Sequence, residues 1–268
     1  MNQQQYFNPE IVVDYHQVDE YAVNAYMAKV FGWMFFGLLV TTLSTIAIIL
    51  GVNASPAFAE FIRTALEFII VVFIAEFALV AYMSSRVHVM HPSTAKMLYT
   101  IYAILNGLTF GLLVYIFQDY AGLGMETVAA AFGITALSFG AMALYGMSTR
   151  RDLASFGSLL FMGLIGIIIA GFVNMFLGSG MLEFIVLVGG LGLFLALVAY
   201  KTNVIKNYYA QAVLHGQNPD GSLTLEQEEY ANTLAIYGAL TLYLTFINIF
   251  LRVLMILARL KGGGGGRR

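Results

Sequence analysis

The sequence has no cysteine and is short of charged residues. Without cysteine there are no disulfides, no thiol catalysis and no cysteine-ligated metal sites. Charged residues make up 10% of the 268 positions, whereas a soluble domain carries about 25%. The 13 basic and 15 acidic residues give a formal net charge of −2. Because no basic stripe is present to neutralise phosphates, this balance excludes a nucleic acid as a partner.

Long apolar stretches take the place of the missing charge. Apolar types account for 60% of the residues, and the mean hydropathy is +0.81. A helix needs about 20 mostly apolar residues to cross a lipid bilayer, and continuous runs without a period of two favour helices over a barrel. We therefore predict an all-α integral membrane protein with seven spanning helices. Their predicted ranges are residues 30–51, 66–83, 97–117, 125–147, 154–177, 181–200 and 232–258.

One membrane domain accounts for most of the chain. We predict it over residues 26–261, after a polar N-terminal arm of residues 1–25 and before a flexible Gly/Arg tail of residues 262–268. The arm has no basic region ahead of an apolar stretch, so we expect no cleaved signal peptide. The longest connection is predicted over Thr202–Tyr230. Within it, Thr224 followed by several glutamates is typical of a helix start.

The distribution of basic residues predicts the orientation in the membrane. A cytoplasmic N-terminus places most of the basic residues between spans on the cytoplasmic side, as the positive-inside rule favours. Seven crossings then put the basic C-terminal segment outside, against the rule; a final hairpin that dips in and returns is the alternative. The residues on the predicted cytoplasmic side are Lys29, Arg86, Lys96, Arg150, Arg151, Lys201 and Lys206.

Three ionisable residues inside or at the ends of the apolar runs are candidates for function, because such groups are rare in a bilayer. Glu76 lies in mid-span, ten residues and thus about 15 Å before Arg86. It is either a proton- or cation-sensitive group that lines a cavity or a structural carboxyl bound to a neighbouring helix. Lys201 is expected to snorkel to the interface. Arg252 is expected to snorkel or to pair with an acid such as Glu76.

Other polar and small residues in the spans predict packing contacts. The amides of Asn106, Asn174 and Asn248 are expected to form hydrogen bonds between helices. Small residues one turn apart allow two helix backbones to approach closely. Such groups occur at Gly107 and Gly111, at Gly166 and Ala170, and at Gly189, Gly190 and Gly192.

Motifs for catalysis are missing from the sequence. No HExxH zinc motif, phosphate-binding glycine loop or serine elbow occurs. His88 and His91 form an HxxH, but a zinc site needs three or four ligands. We expect no enzyme activity, no cofactor and no metal site.

Several segments carry a family resemblance. They are YMAKVFGWMFFGLLVT in the first predicted span, ALYGMSTRRDLASFGSLLFMGLIGIIIAGFVN through the fourth and fifth, AYKTNVIKN after the sixth and GALTLYLTFINIFL in the last. In order and content they resemble the Bax inhibitor-1 (transmembrane Bax inhibitor motif) family, most of all its bacterial YccA/YbhL-like branch. The resemblance implies a bundle of six helices around a central seventh, in the bacterial inner membrane.

The chain departs from this family at two positions. In many members, two aspartates in motifs resembling AYDTQ and LYLDFIN form a pH-sensitive latch on a calcium leak. The corresponding residues here are Lys201 in AYKTN and Thr245 in LYLTFIN. The family's Glu and Arg near the second helix correspond to Glu76 and Arg86. The scaffold is thus expected without the acid-sensitive carboxyl pair.

Two functions remain open at this stage. The first is a regulatory or accessory protein that docks on a larger membrane complex, because bacterial relatives are associated with control of a membrane-anchored AAA protease. The polar N-terminal arm would suit such docking. The second is an ion or proton leak channel that uses Glu76.

Overall fold

The computed structural model describes residues 20–121, 124–149, 151–214 and 224–264, and among these residues it contains helices and no strand. Most of the predicted arm and the end of the predicted tail lie outside the described residues. A short 3-10 turn, Ala154–Phe156, precedes the sixth helix. The helices are α1 Glu20–Ala54, α2 Pro56–Glu67, α3 Ile69–Arg86, α4 Pro92–Ala121, α5 Met125–Ser148, α6 Gly157–Leu177, α7 Gly180–Leu214 and α8 Leu225–Gly264.

The prediction of seven membrane-spanning helices is confirmed. Every described helix except α2 is long and apolar enough to cross a bilayer. The apolar runs underestimate the length of several helices, because helical structure continues past the apolar core into polar segments. α1 begins at Glu20, ten residues before the predicted span, and α7 continues to Leu214. The connection predicted over Thr202–Tyr230 is therefore much shorter than expected.

Helix α2 is absent from the predictions. It is short and amphipathic, so it contains no apolar run of spanning length. Its buried residue Ile62 packs with Ile48 of α1 and Leu112 of α4 in a small apolar cluster, while Arg63 is exposed. The first connection thus folds back on the ends of two spanning helices.

Helix α8 runs without interruption from Leu225 to Gly264, so the alternative of a final hairpin is wrong. Its start is fixed by a capping box, in which Thr224 N–H donates to Gln227 Oε1 at 2.9 Å and Gln227 N–H to Thr224 Oγ1 at 3.4 Å. Near this start, Thr233 donates to the carbonyl of Met90 at 3.1 Å. At the other end, Lys261 donates to Thr127 in the first turn of α5 at 2.6 Å. The central position of this helix stays a prediction.

The described chain divides into two compact units. The first lies within Met1–Asp119 and Asn207–Tyr243. In it, α4 packs closely on α1 through two of the predicted small residues: a side chain at Gly107 would come within 2.7 Å of the Thr41 carbonyl, and one at Gly111 within 2.8 Å of Ile48. Gly107 and Gly111 thus allow α4 and α1 to approach closely, as predicted.

The second unit lies within Tyr120–Lys206 and Leu244–Arg268. Here α5 and α7 approach closely at Gly146, where a side chain would meet the backbone of Ala199 at 2.9 Å. Helix α6 differs from the other spanning helices because none of its residues is buried. A Cβ atom at Gly166 would have none of the described residues within 4 Å, so this position borders open space.

Candidate functional site

The first candidate site is formed by Glu76 of α3 and Thr109 of α4 in the first unit, and we call it the acidic site. Thr109 Oγ1 donates a hydrogen bond to Glu76 Oε1 at 2.7 Å, and both residues are buried. This is the bond to a neighbouring helix that the structural interpretation of Glu76 expects. Among the described residues, no basic side chain forms an ion pair with the carboxyl. A buried carboxyl held by one hydroxyl can exist as an acid or as an ion that binds a cation.

A group of polar and aromatic side chains surrounds the acidic site. Tyr102 lies about two turns before Thr109 on α4, and its ring packs edge to face against that of Tyr243, with the ring centres 5.9 Å apart. Asn106 Nδ2 donates to the Tyr102 hydroxyl at 3.1 Å, whereas its Oδ1 is buried without a hydrogen-bond donor among the described residues. The Tyr243 hydroxyl lies 2.6 Å from Thr41 Oγ1. Unit 1 therefore contains a buried cluster of oxygen atoms in mid-span.

The second candidate site brings together Lys201 of α7 and Thr245 of α8 in the second unit, and we call it the amine site. Lys201 Nζ donates to Thr245 Oγ1 at 2.9 Å, and the Thr245 side chain is buried. These are the two positions that the resemblance assigns to the latch. Lys201 was expected to snorkel to the interface; instead its ammonium group reaches a hydroxyl on the neighbouring helix. The structure thus brings the two positions into direct contact.

The residues that follow Lys201 hold the connection between α5 and α6. Asn203 Oδ1 accepts a hydrogen bond from the Leu153 backbone at 3.2 Å, and its Nδ2 donates to the carbonyl of Gly146 at 3.4 Å. Lys206 Nζ donates to the carbonyl of Met147 at 3.0 Å. The motif KTNVIK therefore fixes the end of α5 as well as the amine site.

The two arginines lie in different surroundings. Arg86 is exposed in the last turn of α3, and no ion pair joins it to Glu76. Arg252 lies within α8, where its Nη1 donates to the carbonyl of Val186 at 3.0 Å and its guanidinium lies 4.9 Å from the centre of the Phe194 ring. The contact found for Arg252 is therefore with the backbone of α7.

A known protein family matches most of this chain. The family described as "Inhibitor of apoptosis-promoting Bax1" matches residues 23–262. This chain belongs to the Bax inhibitor-1 family. The match covers the spanning helices, except for the first residues of α1 and the last of α8, and both candidate sites.

Bacterial members of the Bax inhibitor-1 family align over most of their length. "Inner membrane protein YbhL" of Escherichia coli K12 is 40% identical over 235 residues, 87% of this chain and 91% of the relative. Uncharacterized protein RP147 of Rickettsia prowazekii is 36% identical over 232 residues, 87% of this chain and 88% of the relative. An uncharacterized protein of Borreliella burgdorferi is 32% identical over 236 residues, 88% of this chain and 92% of the relative.

In this Bax inhibitor-1 protein, the sequence prediction missed two residues of the sites. Thr109 is the partner of Glu76, and its signal was the spacing of three residues from Asn106, which places both on one face of α4. Asn203 lies in a segment that carried the resemblance, but nothing in its spacing showed that it binds the α5–α6 connection. No group of three or more His, Asp or Glu residues that could hold a metal ion occurs in the described ranges.

The prediction that the three amides bond between helices is wrong. Asn106 and Asn248 donate within their own helices, at 3.1 Å to Tyr102 and 2.8 Å to the carbonyl of Leu244. Asn174 accepts from the Ser179 backbone at 3.0 Å, near Gly178, which ends α6 in a left-handed conformation. A short amide side chain reaches groups of its own helix, or of the turn that follows it, more readily than a neighbouring helix.

Proposed function

We propose that this chain is an accessory protein of the bacterial inner membrane, with a cytoplasmic N-terminus, that docks on a larger membrane complex such as a membrane-anchored AAA protease. We further propose that it lacks the acid-gated calcium leak associated with its family. The contact between Lys201 Nζ and Thr245 Oγ1 carries this proposal. It supports a member of the family that keeps the scaffold and has lost the titrating pair.

The chemistry of the amine site argues against an acid-gated path for calcium. Two neighbouring carboxyls share a proton and titrate as a unit, whereas an ammonium and a hydroxyl do not. A lysine also repels divalent cations. At about 4 Å and an effective dielectric constant of about 20, the repulsion between one charge and a divalent ion is on the order of 8 kcal/mol.

Helix α6 supports docking. Its side chains are mostly apolar and none is buried, and the space beside Gly166, one turn before Ala170, is open. Small residues of this kind pack helix against helix where lipid supplies no hydrophobic driving force. Because Gly107 and Gly111 are already packed within the chain, the α6 pair is available to a helix of another protein.

Co-purification in mild detergent tests the docking proposal. The tagged full chain should elute with the AAA protease, detected by immunoblotting. Gly166→Leu should reduce the recovered protease at least severalfold, because the larger side chain blocks close approach. Gly171→Leu is the matched control: it also adds a side chain into open space on α6, but away from the face of Gly166 and Ala170. Equal recovery with both variants, or none with the wild type, would contradict docking through this face.

The N-terminal arm gives a separate test of the same function. Deletion of Met1–Asp19 removes the polar segment that lies outside the described residues. If the arm contributes to docking, the deletion reduces protease recovery while the isolated protein elutes from a size-exclusion column as before. Unchanged recovery would restrict docking to the membrane helices.

The buried carboxyl of the acidic site favours a second function, a leak for protons or cations through Glu76. The supporting observation is the group of oxygen atoms in mid-span: those of Glu76 and Thr109, and Asn106 Oδ1, which has no donor among the described residues. Planar-bilayer recordings of the purified protein test it. A conductance that Glu76→Gln abolishes and Glu60→Gln, an exposed carboxyl on α2, leaves intact would support the leak. A silent bilayer with the wild type would rule it out.

A further inference from the structure

The guanidinium of Arg252 has more N–H donors than there are acceptors around it. A guanidinium carries five N–H groups and no acceptor. One of them reaches the carbonyl of Val186 at 3.0 Å. The Nε group is buried and has no acceptor among the described residues. The edge formed by Nε and Nη2, which binds a carboxylate or phosphate with two parallel bonds, therefore has no partner in the described chain.

Among the described residues of the second unit, no acid forms an ion pair with Arg252. The nearby acids already pair with other basic residues: Glu183 lies 3.2 Å from Arg259, and Glu126 lies 3.3 Å from Lys261. The Phe194 ring contributes a cation–π contact. Arg252 lies nine residues, roughly 13 Å, before the end of the candidate span Leu225–Lys261. Without an anion beside it, a charge within a span costs free energy.

The surroundings of Arg252 border the lipid. Gly190 of α7 lies directly under the guanidinium, so the arginine crosses α7 where there is no side chain to block it. Beside this point the α7 surface is apolar and open: Ile185 and Val188 are 57% and 45% exposed. A side chain added at Gly189 would meet nothing within 4 Å.

We propose that Arg252 binds the phosphate group of an anionic membrane lipid, whose acyl chains lie along this exposed face of α7. A phosphate would accept from Nη2, the group of this edge that is not buried, and neutralise the charge. Arginines within spans meet lipid phosphates by snorkelling and by local thinning of the bilayer, and the glycine under Arg252 leaves the guanidinium room to do so. This site is independent of the docking and leak functions.

Lipid binding to the purified full chain in neutral detergent tests the proposal. Phosphatidylglycerol is compared with phosphatidylcholine of the same acyl chains, and binding is followed by native mass spectrometry and thermal stabilisation. The wild type should bind phosphatidylglycerol saturably and in preference to phosphatidylcholine. Arg252→Gln should weaken this binding by roughly 10- to 100-fold, the value of a charged hydrogen-bonded pair. Arg86→Gln, which removes an exposed charge of the same kind, should leave it unchanged.

Three results would overturn the proposal. Equal binding of both lipids would show that no anion is recognised. Wild-type affinity in Arg252→Gln would place the lipid elsewhere. Stabilisation by inorganic phosphate alone, lost in Arg252→Gln and not produced by phosphatidylglycerol, would show that the anion comes from water and not from a lipid. If Arg252→Gln does not fold, Arg252→Lys replaces it. Undiminished affinity in that variant would show that the guanidinium group is not what binds the lipid.

Discussion

The two units of this protein hold ionisable side chains of opposite charge through the same type of residue. Each places one ionisable group of a spanning helix on a threonine hydroxyl of a neighbouring helix: Glu76 on Thr109 in the first unit, Lys201 on Thr245 in the second. In the first unit the threonine donates, and in the second it accepts. A hydroxyl can do either, so one residue type satisfies both an acid and an amine.

The carboxyl of the acidic site and the amine of the amine site differ in how they respond to acid. A carboxyl can take up a proton and keep its bond to Thr109, so the acidic site can change charge without losing its structure. The amine site has no carboxyl in its pair, and its unit also contains the positive charge of Arg252. Acid-dependent behaviour is therefore expected from the first unit and not from the second.

A carboxyl pair introduced into the second unit should have the largest effect, because it would remove the chemical difference between the two units. In proteoliposomes loaded with a calcium-sensitive dye, we expect no acid-induced calcium flux from the wild type. Lys201→Asp combined with Thr245→Asp should introduce a pH-dependent flux, because two adjacent carboxyls can share a proton. Each single variant is the control. Flux from the wild type at acidic pH would contradict the proposed loss of the leak.

Substitution of two glycines compares the packing of the units. Gly107→Leu in the first unit forces a side chain against the Thr41 carbonyl, 2.7 Å from the new Cβ, so we expect a loss of about 1–3 kcal/mol or more in the free energy of unfolding. Gly166→Leu in the second unit meets nothing within 4 Å, so its effect should stay within about 0.5 kcal/mol. Chemical unfolding in detergent measures both. A large loss with Gly166→Leu would mean that the face of α6 at Gly166 also packs within the chain.

Removal of the two threonine hydroxyls sharpens the comparison of the sites. Thr109→Val leaves the buried carboxyl of Glu76 without its donor, and we expect a loss of about 1–3 kcal/mol. Thr245→Val should cost less, because Lys201 is half-buried and its long side chain can move its amine toward another acceptor or water. Unfolding by denaturant measures each, and Glu76→Gln, whose amide oxygen still accepts from Thr109, is the control. Equal losses would show that Lys201 is as confined as Glu76.

The sequence predicted most of the helices but not the hydrogen-bond partners of the site residues. Seven spans follow from the length of the apolar runs, and the start of α8 follows from Thr224, because both signals are local. Helix α2 was missed because amphipathic segments of 12 residues lack an apolar run. The backbone acceptor of Arg252 could not be predicted either, since a carbonyl exists at every residue and carries no signal in the sequence.

The exposed ion pair of the second unit offers the smallest expected effect. Arg259 lies 3.2 Å from Glu183, and both side chains are largely open, with 39% and 57% of their surface exposed. Exposed pairs of this kind contribute about 0–1 kcal/mol and weaken with salt. Arg259 also donates to the carbonyl of Gly180 at 2.7 Å, a bond that does not need the carboxylate. Glu183→Gln should therefore lower the free energy of unfolding by less than about 1 kcal/mol at low salt, and by less still at high salt. A larger loss would mean that Glu183 also compensates the charge of Arg252, which lies about two turns from Arg259 along α8. The contrast between a paired and an unpaired arginine in this unit would then disappear.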